Sequence, residues 1–194
     1  MIKQVCAKII QQSGWKFVNH IPDELKSFVF IGAPHTSNFD FIPAMAVSHL
    51  MKRNARFVIK KEWLNFPLNY FFEPLGAIGV DRKNHKDEKN LSYTDQMAKM
   101  FEEHQEFVLM IAPEGTRSPN SNWKTGFYYI AQKAKVPIVL GYADFEKKEV
   151  GLGLVIHPSD FETDMKIIMD FYKDKTGKIS KNFLLDKKFF KGHT

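Results

Sequence analysis

Short apolar runs that alternate with helical segments are the feature that most constrains the fold of this chain. The strongest run, FVLMIA at 107–112, contains no polar residue and is short for a helix. Such a run is typical of a strand that is covered on both faces, as in a parallel sheet. Further runs predict strands in the same way: SFVFIGA at 27–33, ARFVIK at 55–60, AIGVDR at 77–82, VPIVLGYA at 136–143 and GLGLVIH at 151–157.

Segments with helical spacing separate these runs. Helices are predicted over 2–10, from Asp40 to about Lys52, and over 92–104, 127–135 and 162–173. The aromatic segment KEWLNFPLNYFFEPLG at 61–76 contains two prolines and predicts a broken helix followed by a turn. The alternation predicts an α/β fold with a largely parallel central sheet, helices on both faces and a short amphipathic helix at the N-terminus.

A length of 194 residues fits a single domain, 1–194. Within it we expect a motif-bearing core at 27–157, followed by a C-terminal helix and basic tail at 158–194. The first segment, 1–20, has two interpretations. It is either an interfacial helix anchored by Trp15 and Phe17, or a helix packed on its own domain.

The charge and the cysteine content limit which partners the protein can have and in which cellular compartment it works. With 28 Lys and Arg against 22 Asp and Glu, the net charge is +6. Such a surface attracts nucleic acid, anionic lipid or phosphorylated small molecules, although it also fits a charge that only aids solubility. The single cysteine, Cys6, favours a reducing compartment. No stretch approaches the ~20 apolar residues of a membrane span. We therefore expect a cytoplasmic protein that associates peripherally with the cytoplasmic face of the membrane.

His35 and Asp40 lie in the segment PHTSNFD, between a predicted strand and a predicted helix. A carboxylate five residues after a histidine can fold back across the loop and accept a hydrogen bond from Nδ1–H. That contact leaves the Nε2 lone pair free, as a general base requires, and stabilises the imidazolium. On its own, the spacing also fits a structural histidine beside a helix N-terminus, and this alternative stays open.

PEGTRS at 113–118 follows the strongest predicted strand, where α/β proteins place ligand-binding loops. Gly115 allows close approach of the backbone to a ligand, Thr116 supplies a hydroxyl, and Arg117 supplies a forked cation that suits phosphate oxygens. Glu114 would orient Arg117 or hold the loop closed. A polar turn with a surface arginine is the alternative.

Asp81 and Arg82 follow a third predicted strand and supply a second guanidinium, or a surface pair. Because the carboxyl ends of parallel strands meet at one sheet edge, the three loops would bring a base, its orienting acid and two arginines into one cleft. That arrangement suits deprotonation of a hydroxyl on a phosphate-bearing molecule. Nucleophile-elbow, Walker, HExxH and dinucleotide motifs are absent from the sequence. Ser37 lies near His35 in sequence, so a mechanism with a serine nucleophile remains an alternative.

Four blocks stand in order along the chain: HTSNFD, GAIGVDR, PEGTRS and VPIVLG. They resemble the blocks of the glycerolipid acyltransferases typified by 1-acyl-glycerol-3-phosphate acyltransferase. The intervening IKKEWLNFPLNYFFEPLG is similar to the family's lysine–glutamate–apolar segment and adds Lys61 to the substrate-binding candidates. The resemblance covers roughly residues 27–157. Pro34, Gly79 and Leu140 depart from the family's usual residues and leave the acceptor open.

The resemblance implies direct transfer of a fatty-acyl group from acyl-CoA or acyl carrier protein to the hydroxyl of a lysophospholipid such as 1-acyl-glycerol-3-phosphate. His35 would take the proton from that hydroxyl and Asp40 would hold the imidazole. Arg82 and Arg117 would bind the acceptor's phosphate. No metal and no cofactor other than the donor is implied. The remaining substrate-binding candidates are Ser37, Lys61, Glu114, Gly115 and Thr116.

Other functions stay open beside this one. The acceptor could be another lysolipid or an aminolipid. The same base, with water or Ser37 as nucleophile, would serve a thioesterase or ester hydrolase. A non-catalytic module that binds nucleic acid or anionic membrane through its charge ranks last, because no nucleic-acid motif is visible.

The 18 phenylalanines indicate either a large apolar interior or an apolar surface. An acyl chain needs an apolar groove, and Phe66, Phe71 and Phe72 are candidates to line it or to meet the bilayer, although core packing remains the alternative. The first helix and KKFF at 187–190 are candidate anchors on an anionic membrane surface.

Overall fold

One central sheet organises residues 1–80 and 92–190, the part of the chain that the computed structural model describes. The strands are β1 (Lys16–Asn19), β2 (Phe28–Gly32), β3 (Ala55–Lys60), β4 (Ala77–Val80), β5 (Val108–Ile111), β6 (Ile138–Asp144) and β7 (Glu149–Ile156). The helices are α1 (Ile2–Gln12), α2 (Phe41–Leu50), α3 (Asn69–Phe72), α4 (Tyr93–Glu102), α5 (Gly126–Ala134) and α6 (Phe161–Tyr172). Short 3₁₀ helices cover Asn38–Asp40, Lys61–Leu64, Glu73–Leu75 and Ser180–Asn182.

The strand order is β1-β7-β6-β2-β5-β3-β4. Strands β6, β2, β5, β3 and β4 run parallel, whereas β7 is antiparallel to β6 and β1 pairs in parallel with β7. The predicted α/β fold with a largely parallel sheet is confirmed. Since β2 and β5 are neighbours, with Ile31 paired to Ile111, the loops that follow them leave the same sheet edge side by side.

Helices cover both faces of the sheet. On one face, Ile10 of α1 and Met45 of α2 belong to a buried cluster with the sheet. On the other, Met97 of α4, Ile130 of α5 and Met169 of α6 belong to a second cluster. Because neither face meets water, the central strands read as continuous apolar runs rather than as alternating ones.

The predicted N-terminal helix is present as α1 and packs on its own domain. Its buried side chains face α2 and the sheet, and they are Cys6, Ala7 and Ile10. No helix within residues 1–80 and 92–190 is long and apolar enough to cross a membrane.

Phe17, one of the two residues predicted to anchor this helix, lies in the edge strand β1, and Trp15 directly precedes that strand. Phe17 pairs with Val150 of β7, and Lys16 N–H donates to the carbonyl of Lys148. The Trp15 ring packs edge-on against Phe145, with centroids 4.9 Å apart. The backbone of this short segment forms its hydrogen bonds with β7, which would otherwise be the edge strand. The four residues of β1 alone do not indicate that such an edge is available.

Residues 174–190, the C-terminal segment, return across the domain after α6. Phe183, Phe189 and Phe190 are partly buried against the cluster beneath α5 and α6, and Phe189 meets Phe161 edge-on with ring centroids 5.5 Å apart. The aromatic half of the predicted KKFF anchor therefore packs on the protein's own core.

Candidate active site

The loop after β2 is shaped by a capping box that folds Asp40 back over it. Ser37 is the N-cap of the 3₁₀ helix Asn38–Asp40, and its hydroxyl accepts a hydrogen bond from Phe39 N–H at 3.0 Å. The Asp40 carboxylate in turn accepts from Ser37 N–H at 2.8 Å. This reciprocal pair satisfies donors that a helix N-terminus would otherwise leave open, and it fixes Asp40 beneath the loop.

Asp40 Oδ2 accepts two backbone hydrogen bonds and lies close to the His35 ring. Thr36 N–H lies 2.6 Å away and Ser37 N–H 2.8 Å, while His35 Nδ1 lies at 3.4 Å. Only 6% of Asp40 is exposed, so these donors replace the water that a buried carboxylate loses. Because Nδ1 faces Asp40, Nε2 is the nitrogen left for a substrate. The spacing of five residues predicted this contact correctly, and the catalytic role stays a prediction.

Glu114 joins the two neighbouring loops. Its Oε1 accepts a hydrogen bond from the backbone N–H of His35 at 2.7 Å, and only 2% of the residue is exposed. Burial raises the pKa of Glu114 to about 8, and the negative charge of Asp40 adds to this effect, whereas the hydrogen bond from His35 opposes it. Glu114 was predicted either to orient Arg117 or to hold its own loop closed. The contact that the structure shows is with residues 33–40, which we call the histidine loop.

The rest of PEGTRS divides between the turn and the cavity. Gly115 has φ of +70°, a left-handed conformation that favours glycine. The hydroxyl of Thr116 accepts from Ser118 N–H at 3.2 Å and serves the turn. The guanidinium of Arg117 donates to Asn38 Oδ1, which ties this loop to the histidine loop a second time.

Three further predicted site residues lie in different places. Ser37 lines the same cavity as His35, and its hydroxyl caps the 3₁₀ helix. Lys61 is exposed at the start of the 3₁₀ helix Lys61–Leu64 and does not belong to the cavity wall as far as the structure describes it. Arg82 lies outside the described residues, and its phosphate contact stays a prediction.

A cavity of about 520 Å³ lies beside His35, a volume that suits small-molecule ligands. Its polar wall is formed by His35, Ser37, Asn38, Asp40 and Arg117. Apolar side chains form most of the remainder and come from β2, β3, β5 and α2, together with Trp63, Phe71 and Phe72. The histidine–aspartate pair therefore lies in the wall of an apolar groove.

Some residues that shape this groove and its histidine loop were not predicted from the sequence. The ring of Phe30 lies across Gly141, where an added Cβ would come within 1.8 Å of Phe30 Cζ. Gly141 thus leaves room for a large ring between two strands. A glycine inside a strand pattern was the available signal, since it often marks a close approach. Thr36 and Asn38 were also missed, although they lie inside HTSNFD.

Comparisons with known proteins identify the family and the fold. The sequence profile of the family described as Acyltransferase matches residues 17–139, which include His35, Asp40 and PEGTRS. The crystal structure of the 1-acyl-sn-glycerophosphate (LPA) acyltransferase, PlsC, from Thermotoga maritima is similar in fold. The TM-score is 0.57 at 15% sequence identity, over 89% of this chain and 75% of that chain. A comparison with curated proteins gives no significant match.

Glu114→Gln should change how stability depends on pH. Folded Glu114 keeps its proton to about pH 8, whereas the unfolded side chain loses it near 4.5, so the folded state binds more protons in between. Wild-type stability therefore contains a contribution that is lost as pH rises from 5 to 8, and the glutamine variant lacks that loss. In urea unfolding, the free energy of unfolding of the variant relative to that of wild type should rise by on the order of 3 kcal/mol over this range. The exposed Glu106→Gln is the control, and parallel pH slopes for wild type and Glu114→Gln would contradict the assignment.

Proposed function

This chain belongs to the acyltransferase family, and we propose that it transfers a fatty-acyl group from a thioester donor to the hydroxyl of a lysophospholipid such as 1-acyl-glycerol-3-phosphate. The observation that carries the proposal is the His35–Asp40 pair in the wall of an apolar cavity that Arg117 also lines. The donor is acyl-CoA or acyl carrier protein. The chemistry needs only the two substrates and the side chains of this site.

The proposed reaction begins when His35 Nε2 accepts the proton of the acceptor hydroxyl. The hydroxyl oxygen attacks the thioester carbonyl carbon and forms a tetrahedral intermediate. The carbon–sulfur bond then breaks, the new ester forms, and the leaving thiolate takes the proton back from the imidazolium. Asp40 stabilises that imidazolium and holds the ring through Nδ1, and its own orientation is fixed by the N–H groups of Thr36 and Ser37.

Arg117 supports an acceptor that carries a phosphate. Its guanidinium is exposed, lines the cavity with His35 and is oriented by Asn38. A guanidinium binds two phosphate oxygens in a forked geometry and remains charged at every physiological pH. A phosphate held there would keep the neighbouring glycerol hydroxyl near His35. In this proposal Arg82 supplies the second cation.

The apolar part of the cavity supports a long acyl chain as the transferred group. Phe57, Ile59 and Met110 line it from the sheet, and Trp63 and Phe72 line it from the aromatic segment. Burying each methylene of a chain contributes about 0.8 kcal/mol, so a groove of this kind favours fatty-acyl over acetyl donors.

A hydrolase is the second candidate function, because Ser37 lines the same cavity. The Ser37 hydroxyl accepts from Phe39 N–H at 3.0 Å and lies 3.4 Å from Asp40 Oδ1. A hydroxyl engaged in a cap is poorly placed as a nucleophile activated by His35. Donor incubated alone separates the two functions, because a hydrolase releases free fatty acid without any acceptor.

We also propose that the protein meets a lipid bilayer through an aromatic patch, defined as Trp63, Phe66, Leu68, Tyr70 and Phe71. Phe66 is 81% exposed and Tyr70 is 74% exposed. Trp63 and Phe71 belong both to the patch and to the cavity wall, so the patch continues into the groove. Aromatic side chains favour the membrane–water interface.

Charge adds to this contact at an anionic surface. The net charge of +6 favours anionic headgroups, while the segment around the patch carries Lys61, Glu62 and Glu73 and contributes no excess of cations itself. The apolar contact is therefore expected to dominate, with overall charge in support. A free buried Cys6 and cytosolic thioester donors favour the cytoplasmic face.

His35→Ala should abolish transfer while leaving the fold intact. We expect kcat to fall about a thousandfold or more, because the variant lacks the base. The measurement incubates enzyme with labelled acyl-CoA or acyl carrier protein and a panel of lysolipids, and identifies products by mass spectrometry. His49→Ala, an exposed histidine on α2, is the matched control. Wild-type turnover by His35→Ala would overturn the mechanism.

Arg117→Ala should mainly weaken acceptor binding. We expect the acceptor KM to rise roughly tenfold, with the donor KM unchanged, because one charge-assisted phosphate contact is lost. Arg117→Lys should recover only part of it, since an ammonium lacks the fork. A monoacylglycerol acceptor, which has no phosphate, provides the control. An equal loss with both acceptors would exclude a phosphate role for Arg117.

Phe66→Ser combined with Tyr70→Ser should reduce binding to vesicles. We expect several-fold weaker co-sedimentation with vesicles of phosphatidylglycerol and phosphatidylcholine, and an unchanged kcat with short-chain, water-soluble substrates. Leu154→Ser combined with Ile167→Ser removes two apolar residues that are 47% and 43% exposed elsewhere on the surface, and serves as the control. Equal partitioning of both double variants would show that the aromatic patch is not the membrane-binding surface.

A further inference from the structure

The C-terminal segment contacts both loops that form the candidate site. It lies beyond residues 17–139, the range matched by the family profile. One group of contacts joins it to Thr36 in the histidine loop. A second group joins it to Trp123 in the loop at 112–125, which carries Arg117 and which we call the arginine loop.

Thr36 is held by the C-terminal segment on two sides. Its hydroxyl accepts a hydrogen bond from Ile179 N–H at 3.2 Å, and its carbonyl accepts one from Asn182 Nδ2 at 3.3 Å. Only 1% of Thr36 is exposed. All polar groups of this residue are thereby engaged, because its own N–H donates to Asp40 Oδ2.

Gly177 completes this contact by allowing close approach. A Cβ at this position would lie 2.7 Å from Thr36 Cγ2, 2.8 Å from Thr36 Oγ1 and 3.0 Å from Pro34 Cβ. The neighbours of Gly177 are the two residues that flank His35 in sequence. No side chain larger than hydrogen fits here unless the histidine loop moves.

The second group of contacts centres on Trp123. Its indole N–H donates to the carbonyl of Leu184 at 2.9 Å, and its backbone N–H donates to the Asp186 carboxylate at 2.8 Å. The next residue, Lys124, donates its N–H to the carbonyl of Pro113, the first residue of PEGTRS, at 2.7 Å. The C-terminal segment therefore spans from the histidine loop to the arginine loop.

We propose that the C-terminal segment sets the orientation of His35, and that Gly177 and Asn182 are positioning residues for acyl transfer. The proposal rests on the proposed function. The bond from Thr36 N–H is the shorter of the two backbone hydrogen bonds to Asp40 Oδ2, and Thr36 follows His35 directly in sequence. A shift of Thr36 therefore moves the Asp40 carboxylate relative to Nδ1 and turns the imidazole away from its working direction.

A merely structural role makes a different prediction. If the segment only covered the core, its loss would lower Tm and leave kcat unchanged below the unfolding transition. A positioning role lowers kcat at temperatures where the protein is fully folded, because small displacements of a base cost large factors in rate. It also changes the environment of the His35 ring in the absence of any substrate.

Gly177→Ala tests the proposal, with Gly126→Ala as the matched control because the nearest atom to an added Cβ there is Thr94 Cγ2 at 3.9 Å. We expect Gly177→Ala to lower kcat roughly tenfold or more with little change in the donor KM. Asn182→Leu keeps the branched side-chain shape, adds no charge and removes the donor to Thr36, and it should act in the same direction. Assays run well below the Tm of each variant.

The imidazole of His35 provides a readout that does not depend on activity. Its NMR signals, assigned by their absence in His35→Ala, should shift in Gly177→Ala and Asn182→Leu but not in Gly126→Ala. Wild-type kcat together with unshifted His35 signals in both variants would overturn the proposal. If Gly177→Ala fails to fold, Asn182→Leu decides it by the same two measurements.

The two proposals fail separately. Absence of acyl transfer by the wild-type protein to every lysolipid of the panel would overturn the proposed function, and the NMR signals of wild type and Asn182→Leu would still report whether the C-terminal segment orients the ring. Loss of activity in His35→Ala, with none in the two positioning variants and no NMR shift, would leave the function standing and exclude the role of the segment.

Discussion

The position of the Asp40 carboxylate is the constraint on which the candidate site depends. Its Oδ2 accepts hydrogen bonds from the backbone N–H groups of Thr36 and Ser37, and His35 Nδ1 lies 3.4 Å from the same oxygen. These backbone hydrogen bonds hold the carboxylate without any help from the imidazole. The ring therefore meets an acid that is already oriented. A base oriented in this way loses little freedom during reaction, which is the physical content of preorganisation.

The sheet brings the second loop to this centre. Because β2 and β5 are parallel neighbours, Glu114 reaches the backbone of His35 from a position 79 residues further along the chain. Its carboxyl group is buried, and an ionised group there would face the Asp40 charge, so the raised pKa keeps it neutral at pH 7. A neutral group can hold the loop without competing with Asp40 for the proton of His35.

Local patterns in the sequence predicted the features that local physics determines. The apolar runs predicted the central strands, and the five-residue spacing predicted the contact of Asp40 with His35. The edge strand β1 escaped prediction because its pairing with β7 is a property of the sheet and not of Lys16–Asn19. The burial of Glu114 and the contacts of Thr36 with Ile179 and Asn182 escaped for the same reason, since each joins residues far apart in sequence.

The contacts of Thr36 have a consequence for how the protein is made. Its partners Ile179 and Asn182 stand 143 and 146 residues further along the chain. Strand β2 gains its sheet neighbours only after β5 and β6 have been translated, whereas the hydrogen bonds from Thr36 and Ser37 to Asp40 join residues that are close in sequence. The outer side of the histidine loop gains its partners only once Ile179 and Asn182 have been synthesised. The histidine loop therefore reaches its final geometry long after its own residues have been translated.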